Sequence, residues 1–90
     1  MTILVRIPVT HWGYTNGEKQ VVLEPGSMAQ IFAGLHSRFP DLEGHFTDGK
    51  NRLLPGIELE VNGRQIFDVD PGFELKQGDQ IRISSIITGG

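Results

Sequence analysis

A single helix-forming segment, closed at both ends by chain breakers, restricts how this chain can fold. Between residues 28 and 39, apolar side chains recur at helical spacing and form one stripe. Ser27 and Gln30 match the capping box that starts a helix, and Pro40 stops it. Because the residue before a proline avoids the α region, we expect the helix to end at Phe39. The other regular segments alternate with strand period, so the sequence predicts one main helix packed on one sheet, the α+β class.

Five segments predict a sheet of four to five strands: residues 3–7, 19–24, 57–61, 64–69 and 80–87. Residues 3–7, 57–61 and 80–87 show period-two alternation. Asn62-Gly63 is a strong hairpin signal, because a type I′ turn needs positive φ at both positions. Residues 9–17 are expected to form a long loop. Residues 41–56 are expected to be irregular and pinned to the core by Leu42, Phe46, Leu53 and Leu54.

Length and composition exclude several classes of protein. Ninety residues make one domain that buries roughly 60–65% of its unfolded surface, which leaves little for a deep catalytic cleft. The net charge is −3 and the basic residues are scattered, so nucleic acid is not an expected partner. The absence of cysteine excludes disulfides and thiolate metal sites. No apolar run reaches the roughly 20 residues of a membrane span and no signal peptide is recognised, so we expect a cytoplasmic protein with no membrane partner.

The residue types that carry catalysis or bind metals are present without the spacing that either function needs. His11, His36 and His45 show no metal-ligand spacing, so solvent-exposed or structural roles are expected and no metal is predicted. No serine lies in a nucleophile elbow. Glu58 and Glu60 share one face of a predicted strand, where carboxylates are ordinarily solvated. The chain is therefore predicted not to be an enzyme.

Four side chains are candidates for contact with a partner. Trp12 and Tyr14 lie in the predicted long loop, where exposed aromatic side chains mark interfaces, although the loop could equally fold back and bury them. Ile86 has the parity of Arg82 on the last strand, so both should point outward. An exposed apolar residue at that position is a plausible docking anchor.

The C-terminal end of the sequence, Thr88-Gly89-Gly90, is the most informative feature for function. Residues 1–87 are expected to form the domain and residues 88–90 a flexible tail. A diglycine end has no side chains and can thread a narrow tunnel. The Gly90 carboxylate, with a pKa of about 3.5, is ionised at neutral pH and is a poor electrophile. Useful chemistry there requires an activating enzyme that converts it into an acyl adenylate.

Taken together, these features resemble the MoaD/ThiS family of ubiquitin-like sulfur carriers. The resemblance rests on the order of elements, on the strand that runs into Val-Asn-Gly at 61–63, on the Gly-Asp turn at 78–79 before the last strand, and on Gly89-Gly90. It covers nearly the whole chain. It implies a β-grasp fold, a mixed sheet of four to five strands packed on one main helix.

The resemblance also implies a sulfur-carrier cycle. An E1-like enzyme would adenylate Gly90 with ATP, and sulfide would convert it to a thiocarboxylate that donates sulfur to a biosynthetic enzyme. ATP belongs to the activating enzyme, so no cofactor is expected on this chain. The pathway served is cysteine, molybdopterin or thiamin synthesis or tRNA thiolation, and the enlarged first loop is similar to that of the carriers of cysteine synthesis.

Two alternatives use the same fold. A ubiquitin-like protein modifier would be conjugated to other proteins through Gly90, and a β-grasp interaction domain would have an inert tail. The free chain is expected to be a monomer in each case.

Overall fold

The alternating segments of the sequence come together in one mixed sheet. The computed structural model describes residues 2–48 and 52–86. Within these residues the elements are β1 (Ile3–Arg6), a 3-10 helix (Val9–Tyr14), β2 (Gln20–Leu23), β3 (Gly26–Ser27), α1 (Met28–Arg38), a second 3-10 helix (Pro40–Leu42), β4 (Ile57–Val61), β5 (Arg64–Ile66), β6 (Glu74–Leu75) and β7 (Gln80–Ser85).

The sheet has five strands in the order β2-β1-β7-β4-β5. β7 runs parallel to β1 and antiparallel to β4, while the β1–β2 and β4–β5 pairs are antiparallel. A parallel pair requires a crossover connection, and α1 lies in the chain that joins β1 to β7. This mixed sheet packed on one main helix is the β-grasp arrangement, so the predicted fold class is confirmed.

The core lies between α1 and one face of the sheet. Alternation along the strands directs every second side chain inward. The buried apolar side chains among the described residues are Ile3, Val5, Ile7, Val21, Met28, Ile31, Phe32, Leu35, Phe39, Leu42, Phe46, Leu59, Val61, Leu75, Ile81 and Ile83. The opposite face, here called the open face, carries the intervening residues of the strands.

The helix begins and ends where the sequence predicts. The Ser27 hydroxyl accepts a hydrogen bond from the Gln30 amide at 3.2 Å, and the Gln30 side-chain oxygen accepts one from the Ser27 amide at 2.8 Å. This reciprocal pair is the capping box, which satisfies two amides that a helix start leaves free. α1 ends at Arg38, with Phe39 as its C-cap before Pro40.

Two turns fasten β4 to the start of β7. Asn62 and Gly63 have φ values of 52° and 83°, the positive pair that a type I′ turn requires. The Asn62 side chain donates to Asp79 Oδ1 at 3.0 Å and accepts from the Gln80 amide at 2.9 Å. The hydrogen bond from the Lys76 amide, followed by that from Asn62, lowers the pKa of Asp79. The Asn-Gly hairpin and the Gly-Asp turn therefore brace each other.

Three sequence predictions are corrected. Residues 9–17, expected to be a long loop, contain the 3-10 helix Val9–Tyr14, which starts at Pro8 with the fixed φ of proline and a bond from the His11 amide to the Pro8 carbonyl. β5 stops at Ile66 instead of residue 69, and Phe67 beyond it is 76% exposed. β7 stops at Ser85, and residue 87 lies outside the described residues.

One pairing has no signal in the sequence. β3 and β6 form a two-stranded ladder in which Gly26 pairs with Leu75 and Ser27 with Glu74. Each strand has two residues, too few for alternation to be visible. Among residues 2–48 and 52–86, no helix has both the length and the apolar character needed to cross a membrane.

Candidate functional site

The base of the C-terminal tail is fastened to the sheet. Beyond β7, the Ile86 amide donates to the Gly56 carbonyl at 2.6 Å, which extends the ladder between β7 and β4 by one step. Ile86 is 50% exposed, so its predicted outward position is confirmed. The predicted tail of Thr88, Gly89 and Gly90, of which Gly90 is the predicted site of activation, lies outside the described residues.

Arg82 lies in the middle of the open face, as its parity predicts. It is exposed, and its register partners are Arg6 on the parallel strand β1 and Glu60 on the antiparallel strand β4. Residues directly opposite on antiparallel strands have Cβ atoms about 4.5–5.5 Å apart, which places Glu60 beside Arg82. No ion pair joins either arginine to a carboxylate within the described part of the chain. Arg82 therefore has a like charge on β1 and an opposite charge on β4 as register partners.

Trp12 is neither fully exposed nor fully buried. Its indole Nε1–H donates to the Ile7 carbonyl at 2.8 Å, which fixes the ring against the end of β1. Lys19 Nζ lies 5.3 Å from the centroid of the ring. The exposed side of Trp12 lines a groove of about 520 Å³ together with Arg6, Lys19 and Arg82. The structure thus brings Trp12 and Arg82 into one surface.

Tyr14 faces a different part of the molecule. Its ring stacks on His45 with centroids 4.1 Å apart and is 37% exposed. Neither Tyr14 nor Ile86 is among the residues that line the Trp12 groove. The four predicted partner contacts therefore occupy more than one surface.

Histidine 11 has a structural role. Its ring stacks on Phe46 at 4.7 Å, and Nε2 donates to the His45 carbonyl at 3.2 Å, which leaves Nδ1 as the acceptor for the Thr10 hydroxyl at 2.8 Å. Burial lowers the pKa of His11, the hydrogen bond to the His45 carbonyl offsets part of that shift, and electrostatic repulsion from His45 adds a smaller lowering. No group of three His, Asp or Glu side chains within the described residues is placed to hold a metal ion. His11 therefore joins the first 3-10 helix to the segment around Phe46.

Sequence reasoning missed Arg6 and Lys19 because it treated the basic residues as scattered. Arg6 is 76 positions from Arg82 in the chain, and only the parallel pairing of β1 with β7 makes them neighbours. The outward parity of Arg6 on the first strand was the available signal, but it does not reveal which strand lies alongside. The contact between Gly56 and Ile86 was also not predicted, because it too depends on which strands are neighbours.

Comparison with known proteins supports the fold in detail. No family model matches the sequence, and neither does any curated protein. A chain of the crystal structure of the Amycolatopsis orientalis BexX/CysO complex superposes with a TM-score of 0.84 and 26% identity, over 98% of this chain and 99% of that chain.

Two further solved structures share the fold. Mycobacterium tuberculosis CysO has a TM-score of 0.82 and 18% identity, over 94% of this chain and 99% of that one. SAMP1 from Haloferax volcanii has a TM-score of 0.76 and 16% identity, over the full length of both chains. The resemblance to ThiS/MoaD-type ubiquitin-like proteins that the sequence indicates is confirmed by these neighbours, which are small carrier or modifier proteins.

Proposed function

Because this chain resembles the MoaD/ThiS-type ubiquitin-like sulfur carriers over nearly its whole length, we propose that it is itself a sulfur carrier that works through Gly90. The observation that carries the proposal is the position of β7. This strand lies at the centre of the sheet, and Ile86 after it is still held by Gly56. Four residues follow Ile86 in the sequence and span at most about 14 Å when extended.

The chemistry follows from the nature of a carboxylate. An oxygen of the Gly90 carboxylate attacks the α-phosphorus of ATP, pyrophosphate leaves, and the mixed anhydride makes the carbonyl carbon electrophilic. Hydrosulfide then attacks that carbon and AMP leaves, which produces the thiocarboxylate. The contribution of this chain is an end without side chains at Gly89 and Gly90, which fits a narrow channel in another protein.

The catalytic groups in this scheme belong to partners. An E1-like enzyme supplies ATP and the groups that stabilise the adenylate, and a biosynthetic enzyme accepts the sulfur. The chain itself offers no cysteine that could attack the activated end. The neighbour with 26% identity comes from a complex of two different proteins, which supports the expectation of a protein partner.

Pyrophosphate exchange into ATP, catalysed by the E1-like enzyme of the same organism, tests the proposal. Wild-type chain is expected to support exchange, and the chain lacking Gly90 is expected to support none. Gly89→Val should also abolish exchange, because its side chain blocks the channel. Thr88→Val, which changes a hydroxyl to a methyl group of similar size, is the matched control and should retain it.

Two outcomes would overturn the assignment. Exchange that persists without Gly90 would place the reaction elsewhere on the chain. Recovery of diglycine remnants on lysines of other proteins, with no thiocarboxylate formed, would favour a ubiquitin-like modifier instead.

A further inference from the structure

Three cationic side chains come together on the open face beside the base of the tail. Arg6 and Arg82 are register partners on the parallel strands β1 and β7, and Lys19 lies where the chain enters β2. All three are exposed and line the groove of about 520 Å³ that Trp12 also lines. We call this surface, defined by Arg6, Trp12, Lys19 and Arg82, the cationic groove.

The charged groups of the cationic groove form no salt bridge within the described residues, although Glu60 is the register partner of Arg82 on β4. Arg6 and Arg82 are register partners on the parallel strands β1 and β7, so two like charges lie on neighbouring strands there. Neither they nor Lys19 form an ion pair with a described carboxylate. The Lys19 ammonium lies 5.3 Å from the centroid of the Trp12 ring. Since the whole chain carries a net charge of −3, this local cationic cluster opposes its overall charge.

The composition of the groove is that of a protein-binding site. Arginine and tryptophan are the residues most enriched among side chains that dominate binding at interfaces. Trp12 is held rigid by its hydrogen bond to the Ile7 carbonyl, so little conformational entropy is lost when a partner covers it. Ser85, the last residue of β7, also lines the groove, so the site adjoins the base of the tail.

We propose that the cationic groove docks an acidic peptide segment of the activating enzyme. This proposal rests on the proposed function and names the part of the partner that the open face recognises. Carboxylates of such a segment would reach Arg6 and Arg82, and an apolar side chain beside them would cover Trp12. Docking there would hold the tail next to the activating site and would speed encounter through opposite charges.

A nucleic acid is a poorer fit to the same surface. Glu60 on β4 is the register partner of Arg82 on β7. Glu58, two residues earlier on β4, lies nearer the end of β7, so carboxylates border the cationic groove. A phosphate backbone longer than the groove would meet these charges. A protein segment with acidic residues at one end only can avoid them.

Charge reversal in the groove tests the docking site through the KM of the activating enzyme for this chain. Arg6→Glu and Arg82→Glu are expected to raise that KM by about tenfold or more, because each replaces attraction by repulsion. Arg64→Glu makes the same charge change on β5, outside the groove, and should alter KM by less than about twofold. In about 1 M salt, where the screening length is about 3 Å, the groove variants and the wild type should converge.

A second variant and a second probe keep the test decisive. Arg82→Glu also places a second carboxylate beside Glu60 and could change stability for that reason. Arg82→Gln is therefore measured as well. It should raise KM by a smaller factor and should leave the unfolding temperature of the chain unchanged. Amide shifts are recorded by NMR as a hexapeptide with three glutamates at one end and three leucines at the other, or an oligouridylate of the same length, is added. Peptide-induced shifts should concentrate at residues 6, 12, 19 and 82.

Each outcome decides between the two proposals. If the wild type supports no pyrophosphate exchange, the proposed function is wrong. The peptide titration alone then decides whether the cationic groove binds an acidic peptide. If the wild type is activated and the groove variants match it, or Arg64→Glu is equally impaired, the docking site is wrong. Shifts spread over the whole surface, or an oligouridylate that binds more tightly than the peptide, would also overturn it.

Discussion

Burial gives His11 a protonation behaviour that the free side chain does not have. The ring lies between Phe46 and the first 3-10 helix, where a charged imidazolium would lose its hydration. The hydrogen bond from Nε2 to the His45 carbonyl offsets only part of that loss, since the pKa of His11 is still lowered. The neutral ring is therefore the form that the fold accommodates.

The stability of the chain should depend on the protonation of His11. Because the pKa of His11 is lower in the folded chain, the unfolded chain binds more protons between the two pKa values. The free energy of unfolding should therefore fall as the pH drops below about 6.5, the ordinary histidine pKa. Urea denaturation at about pH 7.5 and about pH 5.5, on either side of that pKa, measures the loss.

One variant isolates the contribution of His11 to that measurement. His11→Phe keeps a planar ring against Phe46 but cannot be protonated, so it should show a smaller loss than the wild type between the two pH values. An unchanged pH dependence in His11→Phe would contradict the assignment.

Single positions on the open face were predictable only in part. Parity along β7 was enough to place Arg82 and Ile86 outward, because alternation is a local property of a strand. The juxtaposition of Arg82 with Arg6 depends on which strands are neighbours, and that is decided by the crossover through α1. For Trp12 the sequence could not decide between an exposed and a buried side chain. The hydrogen bond from its indole to the Ile7 carbonyl fixes the ring, and no sequence pattern predicts that bond.

At the scale of elements, the end of β7 is held by a close backbone approach. Gly56 has a φ of 83° and its carbonyl accepts the Ile86 amide. A Cβ added at Gly56 would lie 3.1 Å from the Ile86 carbonyl oxygen, which is tighter than ordinary packing. Glycine at this position therefore both permits the turn and lets the two backbones meet at the base of the tail.

Alanine at Gly56 should loosen the base of the tail. Gly56→Ala is expected to lower the free energy of unfolding by about 1–2 kcal/mol, the cost of positive φ for an L-residue. Gly63→Ala is the matched control, because Gly63 has the same φ of 83° with nothing near its added Cβ. Both should lose the stability that positive φ costs, Gly56→Ala should lose more because its Cβ also crowds the Ile86 carbonyl oxygen, and only Gly56→Ala should speed hydrogen exchange at the Ile86 amide. Equal exchange at Ile86 in the two variants would contradict the role given to Gly56.

The helix and the long strands were predictable because their signals are local. The capping box at Ser27, the stop at Pro40 and the hairpin at Asn62 each involve neighbouring residues. The first 3-10 helix was taken for a loop, since short 3-10 turns have no repeating apolar pattern long enough to detect. The β3–β6 ladder was missed for the same reason.

At the scale of the whole molecule, the fold presents one central strand whose end leads to the tail. The sheet order places β7 between β1 and β4, so this strand is hydrogen-bonded on both sides at the centre of the sheet. The cationic groove lies beside the end of β7. Under the two proposals, recognition of the partner and delivery of the tail would take place on one face.

The mass of the chain after activation tests the sulfur-carrier assignment most directly. The protein is co-expressed with its own E1-like enzyme, and intact mass and C-terminal peptide mass are recorded. A sulfur carrier should gain the mass difference between one sulfur and one oxygen atom, located at Gly90 and absent when Gly90 is deleted. A chain that is adenylated yet never gains sulfur, or gains it at another residue, would contradict the assignment.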